Sequence, residues 1–230
     1  MAMKNFRPLL PFLLMLAIYS CKKDKVIYPP PVYFNYVPTN IGNIVIYDVD
    51  STHYELFDSS VAVFHFQIKE RIDSTYLDNM NRPTQRIERF KRDSISGPWY
   101  YVNTWNSTLT TSSFERDENN VRYVKLGFPI TATQEWNGNA FNTLGTELYH
   151  YDSYHEPLSL FTSTGVMDFD STLTVLQADD NNLIHQKYGL EQYANHVGLV
   201  YKEFIDADKY ITGQYKNGII YRQTIYSYVP

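Results

Sequence analysis

The sequence predicts a mainly β protein, built as a single antiparallel, strongly curved sheet that closes as a barrel or folds as a sandwich. Two observations carry this prediction. The 230-residue chain has 21 tyrosines against 10 glycines, and tyrosine suits half-buried strands. In addition, segments of alternating apolar and polar residues follow one another with only short polar connections. Their number indicates about nine to eleven strands and little helix in one domain.

Three alternating segments open the predicted domain. The first, "NIVIYDVDSTHYELF", is rich in β-branched and aromatic residues, which favour strands. The second, "SVAVFHFQIKERIDSTYL", has one mostly apolar face that we expect to point inward, formed by Ala62, Phe64, Phe66, Ile68 and Glu70. After the turn residues "DNMNRP", the third segment, "TQRIERFKRDS", is expected to point Ile87 and Phe90 inward.

The remaining segments complete the series of strands. We interpret "PWYYVNTWNSTLTTSSF" and "NVRYVKLGFPI" as a hairpin across the polar "ERDENN", followed by the loop-like "NGNAFNTLG". Further strands are expected at "TELYHYDSYHEP", "STLTVLQAD", "HVGLVYKEFID" and "NGIIYRQTIYSYV". Residues 182–194 fit a helix by their apolar spacing or a strand, and Gly189 in the middle favours the strand.

Residues 1–20 have the order of a lipoprotein signal peptide. Lys4 and Arg7 precede an apolar run that ends at Ile18, as in secretory signals, and the run is shorter than the roughly 20 residues that span a membrane. The stretch "AIYSC" resembles a bacterial lipobox, in which the cysteine is acylated and becomes the new N-terminus. Cys21 is the only cysteine of the chain, so it has no disulfide partner here. The sequence therefore predicts lipidation of Cys21; the alternative is an ordinary signal cleavage that leaves an unused thiol.

The predicted mature protein begins with a tether. Residues 21–32 contain three consecutive prolines, which favour an extended polyproline II conformation, and a β-rich domain is expected over 33–230. The basic stretch "CKKDK" looks like the signal that directs lipoproteins of the Bacteroidota to the outer membrane, on its periplasmic face or at the cell surface. The alternative is a solvated linker.

Composition and motifs exclude several classes of function. The formal net charge of −5 becomes −7 once Lys4 and Arg7 leave with the signal, so the chain offers no basic field for nucleic acid. It contains no glycine-rich phosphate loop, no "GxSxG" and no "HExxH". The sequence thus predicts no cofactor and disfavours an enzyme.

The densest cluster of candidate chemistry is "HYDSYHEP". His150, Asp152, His155 and Glu156 are residue types that bind divalent transition metals. On a regular strand, however, His150 and Asp152 point to one face and His155 to the other. A metal site therefore requires a turn or bulge here, and the alternative is a solvated strand edge.

The aromatic stretch at the start of the predicted hairpin is a candidate ligand-binding surface. Trp99, Tyr101 and Trp105 could stack on sugar rings or line an apolar cavity. The alternative is ordinary core packing, which uses the same residue types.

Three further stretches resemble a family of Bacteroidota outer-membrane lipoproteins to which no activity is assigned. They are "YDVDST", "GFPITATQEWNGNAFN" and "YANHVGLVYKEF", and the likeness extends from about Pro38 to the last predicted strand. The family pattern usually has glycine before "VGLV", where this chain has His196, which argues against a left-handed turn at that position. The resemblance implies an envelope location and a β-rich fold, and it implies no catalytic residue.

These observations predict a lipid-anchored envelope protein that acts as a non-catalytic binding or scaffolding module. Its expected partners are the membrane, through acylated Cys21, and an envelope protein, a glycan or an apolar ligand. The alternative is a metal-assisted envelope enzyme centred on residues 150–156.

Overall fold

The computed structural model describes residues 34–230, in which a 3₁₀ turn (Phe34–Tyr36) precedes twelve β-strands. The strands are β1 (Ile44–Tyr54), β2 (Val61–Leu77), β3 (Pro83–Arg92), β4 (Tyr100–Leu109), β5 (Ser113–Glu118), β6 (Val121–Gly127), β7 (Glu135–Asn137), β8 (Leu148–Thr162), β9 (Gly165–Asn181), β10 (His185–Ala194), β11 (Gly198–Lys209) and β12 (Tyr215–Val229). None of the described residues is in an α-helix, and that part of the chain therefore holds no apolar helix long enough to cross a membrane. The predicted signal peptide 1–20, the tether 21–32 and Cys21 lie outside the described residues.

All twelve strands belong to one antiparallel sheet that is nearly closed as a barrel. Strands that follow one another in the chain are neighbours in the sheet, apart from β6 and β7, which are its two edge strands. The first and last strands, β1 and β12, also pair with each other. At the two edges, the Val124 amide donates a hydrogen bond to the Gly138 carbonyl (2.8 Å), and the Trp136 indole donates one to the Val124 carbonyl (2.9 Å). Of the two predicted architectures, the barrel is therefore confirmed.

Two glycines allow aromatic rings to pack closely beside these edges. A Cβ atom on Gly127 would lie 2.9 Å from the Trp136 ring, and one on Gly138 would lie 2.2 Å from the Tyr149 ring. Because real Cβ atoms essentially never come this close, only glycine fits at these positions without displacing an aromatic ring. We refer below to this junction between β6 and β7 as the seam.

The twelve strands exceed the nine to eleven that the sequence predicts. One predicted segment covers both β4 and β5. In the structure, Thr110 Oγ1 accepts hydrogen bonds from the amides of Ser112 and Ser113, and the chain reverses direction there between β4 and β5. The sequence also predicts no separate strand at β7, which is only three residues long. The turn expected at "ERDENN" narrows to Asn119 and Asn120, both with positive φ, as two-residue hairpin turns require.

The predicted inward faces are partly correct. Ile68, Glu70 and Ile87 are buried. Phe90 was expected to point inward, but it is paired with Lys69 and its ring lies 4.6 Å from the Lys69 Nζ atom, on the other face. The inward position of β3 is taken by Arg89, which pairs with Glu70. The period of two along a strand explains this, since Ile87 and Phe90 are three residues apart.

The ambiguous segment 182–194 is a strand, with β10 beginning at His185. The resemblance to the lipoprotein family argued against a left-handed turn at His196, and this expectation was wrong: the residue has φ +62° although it is not glycine. Its amide donates a hydrogen bond to the Asn35 carbonyl (2.7 Å). That contact fixes the turn between β10 and β11 against the entering chain.

The hydrophobic core occupies the end of the barrel at which β1 begins and β12 ends. Its most deeply buried members, at most 2% exposed, include Tyr36, Tyr47, Leu126, Leu173, Val200 and Ile225. At the opposite end lie the turns that join β1 to β2, β5 to β6, β9 to β10 and β11 to β12. We call this second end the open end.

Candidate functional site

A cavity of about 820 Å³ lies inside the barrel toward the open end. Its wall includes Trp105, Tyr123, Lys187, Phe204, Asp206 and Tyr221. A much smaller space of about 40 Å³ lies on the core side, and Glu70 and Arg116 border both. These two side chains therefore form part of the partition between the hydrophobic core and the cavity.

Seven ionised side chains form a continuous charge network at this partition: Glu70, Arg89, Arg116, Glu118, Lys125, Glu191 and Lys202. On the β2–β5 side, Glu70 accepts hydrogen bonds from Arg89 Nε (3.0 Å) and from Arg116 (2.5 Å). Arg116 Nε lies 3.7 Å from Glu118. This half joins three strands through one carboxylate.

The other half of the charge network crosses the barrel. Lys125 of β6 lies 3.2 Å from Glu118 and donates a hydrogen bond to Glu191 of β10 (2.9 Å). Lys202 of β11 lies 3.2 Å from the same Glu191 oxygen, and the Tyr193 hydroxyl donates to the other oxygen (2.5 Å). The network thus connects strands on opposite sides of the barrel interior.

The buried charges hold one another in their ionised forms. Burial alone would raise the pKa of Glu70, but the charges of Arg116 and Arg89 hold it below its ordinary value. Burial is likewise outweighed at Glu118 and Glu191, where Lys125 and Lys202 lower both pKa values. Desolvation raises the pKa of the Tyr149 hydroxyl on the cavity wall to about 12. The carboxylates are therefore charged and the tyrosine neutral at physiological pH.

The aromatic candidates do not lie together. Trp105 lies on the cavity wall, with the Arg89 guanidinium carbon 3.4 Å from its ring centroid and its indole donating to Asn119 (3.2 Å). Trp99 packs instead beneath Lys69 and Arg92. Tyr101 is 57% exposed and bonds Thr104. Trp105 is the only one of the three on the cavity wall.

The four candidate metal ligands do not converge. Three register shifts interrupt the pairing of β8 with β9 around these residues. His155 adopts φ +59° and its Nδ1 lies 2.8 Å from the Tyr36 hydroxyl. His150, Asp152 and Glu156 are exposed. No group of three or more His, Cys, Asp or Glu side chains within 34–230 could hold a metal ion, so the metal-assisted enzyme gains no support.

The charge network was missed by the sequence analysis, apart from the inward placement of Glu70. A signal was available at Arg89 and Arg116, because each lies two residues after a buried apolar residue, Ile87 and Phe114, and so shares its face. Lys125 lies two residues after Tyr123, which is also on the cavity wall, and so shares its face. Lys125 is skipped in the pairing of β5 with β6, and this bulge places the next residue, the buried Leu126, in the interior as well.

Comparison with known proteins identifies no family. No protein-family model and no curated protein sequence matches the chain. Two solved structures are similar: an exported protein with a YmcC-like fold from Bacteroides fragilis, at 10% identity, and a lipoprotein from Parabacteroides distasonis, at 11% identity. Each match has a TM-score of 0.44 and covers 84% of this chain and 98% of the other.

Proposed function

We propose that this protein is a non-catalytic binding module of the bacterial envelope, which takes a small molecule into the cavity of its barrel. The observation that carries the proposal is the cavity itself. Its volume of about 820 Å³ falls within the roughly 300–1,000 Å³ of small-molecule sites. Its wall combines aromatic rings with many charged and polar side chains, so that a ligand can find both apolar packing and orienting polar contacts there.

The proposed location at the outer membrane depends on the N-terminal sequence. Acylation of Cys21 after removal of residues 1–20 would attach the domain to the outer membrane through the tether 21–32. Several acyl chains on one residue hold a protein firmly at a bilayer, because each buried methylene contributes about 0.8 kcal/mol. Cys21→Ala should move the protein from the membrane fraction to the soluble fraction. Unchanged membrane association would refute acylation at this residue.

The binding function is tested by filling the cavity. Ala178 lies on its wall, and Ala178→Trp places a large side chain there without removing a charge. The uncharged dye N-phenyl-1-naphthylamine serves as the probe, with its fluorescence titrated against each variant. We expect the wild type to bind the dye and Ala178→Trp to lose binding.

The matched control is Ala132→Trp, which makes the same substitution at an exposed position between β6 and β7. It should bind the dye as the wild type does. Binding that is equal in the wild type and Ala178→Trp would contradict a ligand site in the cavity. Circular dichroism of both variants verifies that the sheet is intact.

A further inference from the structure

We propose that the ligand of the cavity is a small monoanion with a ring-containing apolar body, whose negative group binds at the charge network beside Lys202. This inference rests on the proposed function and adds the chemical class of the ligand. The acidic group can be a carboxylate, a sulfonate or a phosphodiester, which share one negative charge on oxygen atoms.

The charge network carries more positive than negative charge. Within the charge network four cations face three carboxylates, so one positive charge has no counterpart there. The other carboxylates on the wall do not supply it: Glu147 is paired with Lys187. Asp206, 47% exposed, has no ion pair with any cation of the charge network within the described residues. Because an uncompensated charge in a protein interior is costly, a bound anion would stabilise this arrangement.

A ligand in the cavity can reach one cation of the charge network. Lys202 is the most exposed member of the charge network, at 21% of its side-chain surface, whereas the other six side chains are between 1% and 14% exposed. Its ammonium group has three donor positions, and it lies 3.2 Å from Glu191. Lys202 also lies on the cavity wall. The most accessible cation of the charge network is therefore at the bottom of the cavity.

The cavity can also hold the apolar part of such a ligand. Beside the charge network the wall carries the aromatic rings of Trp105, Tyr123, Phe204 and Tyr221. Aromatic rings pack well against other rings in offset or edge-on geometry. A flat apolar body can thus remain between these side chains while its acidic group reaches the partition.

The test uses two dyes with the same ring system. One is 8-anilinonaphthalene-1-sulfonate, a monoanion, and the other is its uncharged parent, N-phenyl-1-naphthylamine. We expect the wild type to bind the sulfonate at least about tenfold more tightly than the parent, a ratio that corresponds to 1.4 kcal/mol. Lys202→Met should reduce this preference to near unity, through a loss of affinity for the sulfonate.

Two further variants make the test specific. Lys69→Met removes a lysine on the outer face, where Lys69 packs over Trp99, and the preference for the sulfonate should survive. Glu118→Gln raises the surplus to two positive charges and should tighten binding of the sulfonate severalfold. Urea unfolding measures whether each variant is folded. If Lys202→Met does not fold, the affinity of Glu118→Gln for the sulfonate still shows whether the site attracts a negative charge.

The outcomes separate this inference from the proposed function. Equal affinity of the wild type for both dyes would overturn the monoanion and leave the binding function standing. A preference that survives Lys202→Met, or weaker sulfonate binding by Glu118→Gln, would also overturn it. Absence of binding for both dyes would contradict the proposed function as well.

Discussion

Lys125 and Glu191, 66 positions apart in the sequence, form an ion pair of 2.9 Å across the interior of the barrel. The Lys125 side chain is 5% exposed and that of Glu191 1%. A buried ion pair need not add net stability, because both charges lose their hydration. Once it is formed, however, removal of one partner leaves the other charge buried and poorly compensated.

We therefore expect Lys125→Met to lower the free energy of unfolding, by less than the roughly 3–5 kcal/mol of a fully uncompensated buried charge, because Lys202 remains 3.2 Å from Glu191. Urea denaturation at neutral pH measures the change. The double variant Lys125→Met/Glu191→Gln should be less destabilised than the sum of the two single variants, since the second substitution removes the carboxylate that has lost one of its two cations. Strict additivity of the two substitutions would show that the pair is not energetically coupled.

Stability should depend on pH in the acidic range. The pKa values of Glu70, Glu118 and Glu191 are lowered in the folded protein, so the unfolded chain binds protons first as the pH falls. Their contribution is complete above the unfolded value of about 4.3 and is lost as the pH falls through that value toward the folded pKa values. Urea unfolding at about pH 7, 5 and 3.5 should show a steep decrease below about pH 5.

The matched variant for this effect is Glu118→Gln, which removes one of the three carboxylates. It should be less stable than the wild type at neutral pH and should lose less stability on acidification. An acid dependence as steep as that of the wild type would assign the effect to other groups.

The seam should be sensitive to a single methyl group. Gly138→Ala places a Cβ atom 2.2 Å from the Tyr149 ring, and we expect a loss of about 1–3 kcal/mol from overpacking. Gly145→Asn is the control, because Gly145 has open space around it and φ +41°, which asparagine tolerates. Thermal unfolding compares the two variants; equal melting temperatures would contradict close packing at the seam.

His196 offers a substitution that should stabilise the protein. The residue is exposed and has φ +62°, a conformation that costs a side-chain-bearing residue roughly 1–2 kcal/mol. His196→Gly should raise the free energy of unfolding by about 0.5–1 kcal/mol after the entropic cost of glycine. His196→Ala keeps the strain and should give no gain. A loss of stability in His196→Gly would mean that the imidazole itself stabilises the turn.

The sequence predicted the strands well because each long strand buries one face, so that its composition alternates with period two. Ile68 and Glu70 followed this rule. The rule failed where the backbone departs from regular pairing. The bulge at Lys125 shifts the alternation within β6, and no feature of the sequence marks where an extra residue is inserted.

The candidate site was harder to predict, because the residues of its charge network come from six strands and only the closure of the barrel brings them together. Lys202 is 84 positions from Glu118, yet their charged groups are 3.8 Å apart. Local clustering, which drew attention to residues 150–156, reports only proximity along the chain. Trp105 lies on the cavity wall, but an alternating pattern cannot show whether the interior is filled or hollow.

The pairing of β1 with β12 has a consequence for how the domain is made. Along its whole length, β1 is bonded to β12, which the ribosome synthesises after the other eleven strands described here. Until that strand arrives, β1 and β11 are both unprotected edges, open to pairing with another chain. Long-range strand pairing of this kind also slows folding. A nascent or truncated chain without residues 215–230 should therefore depend on chaperones to prevent aggregation.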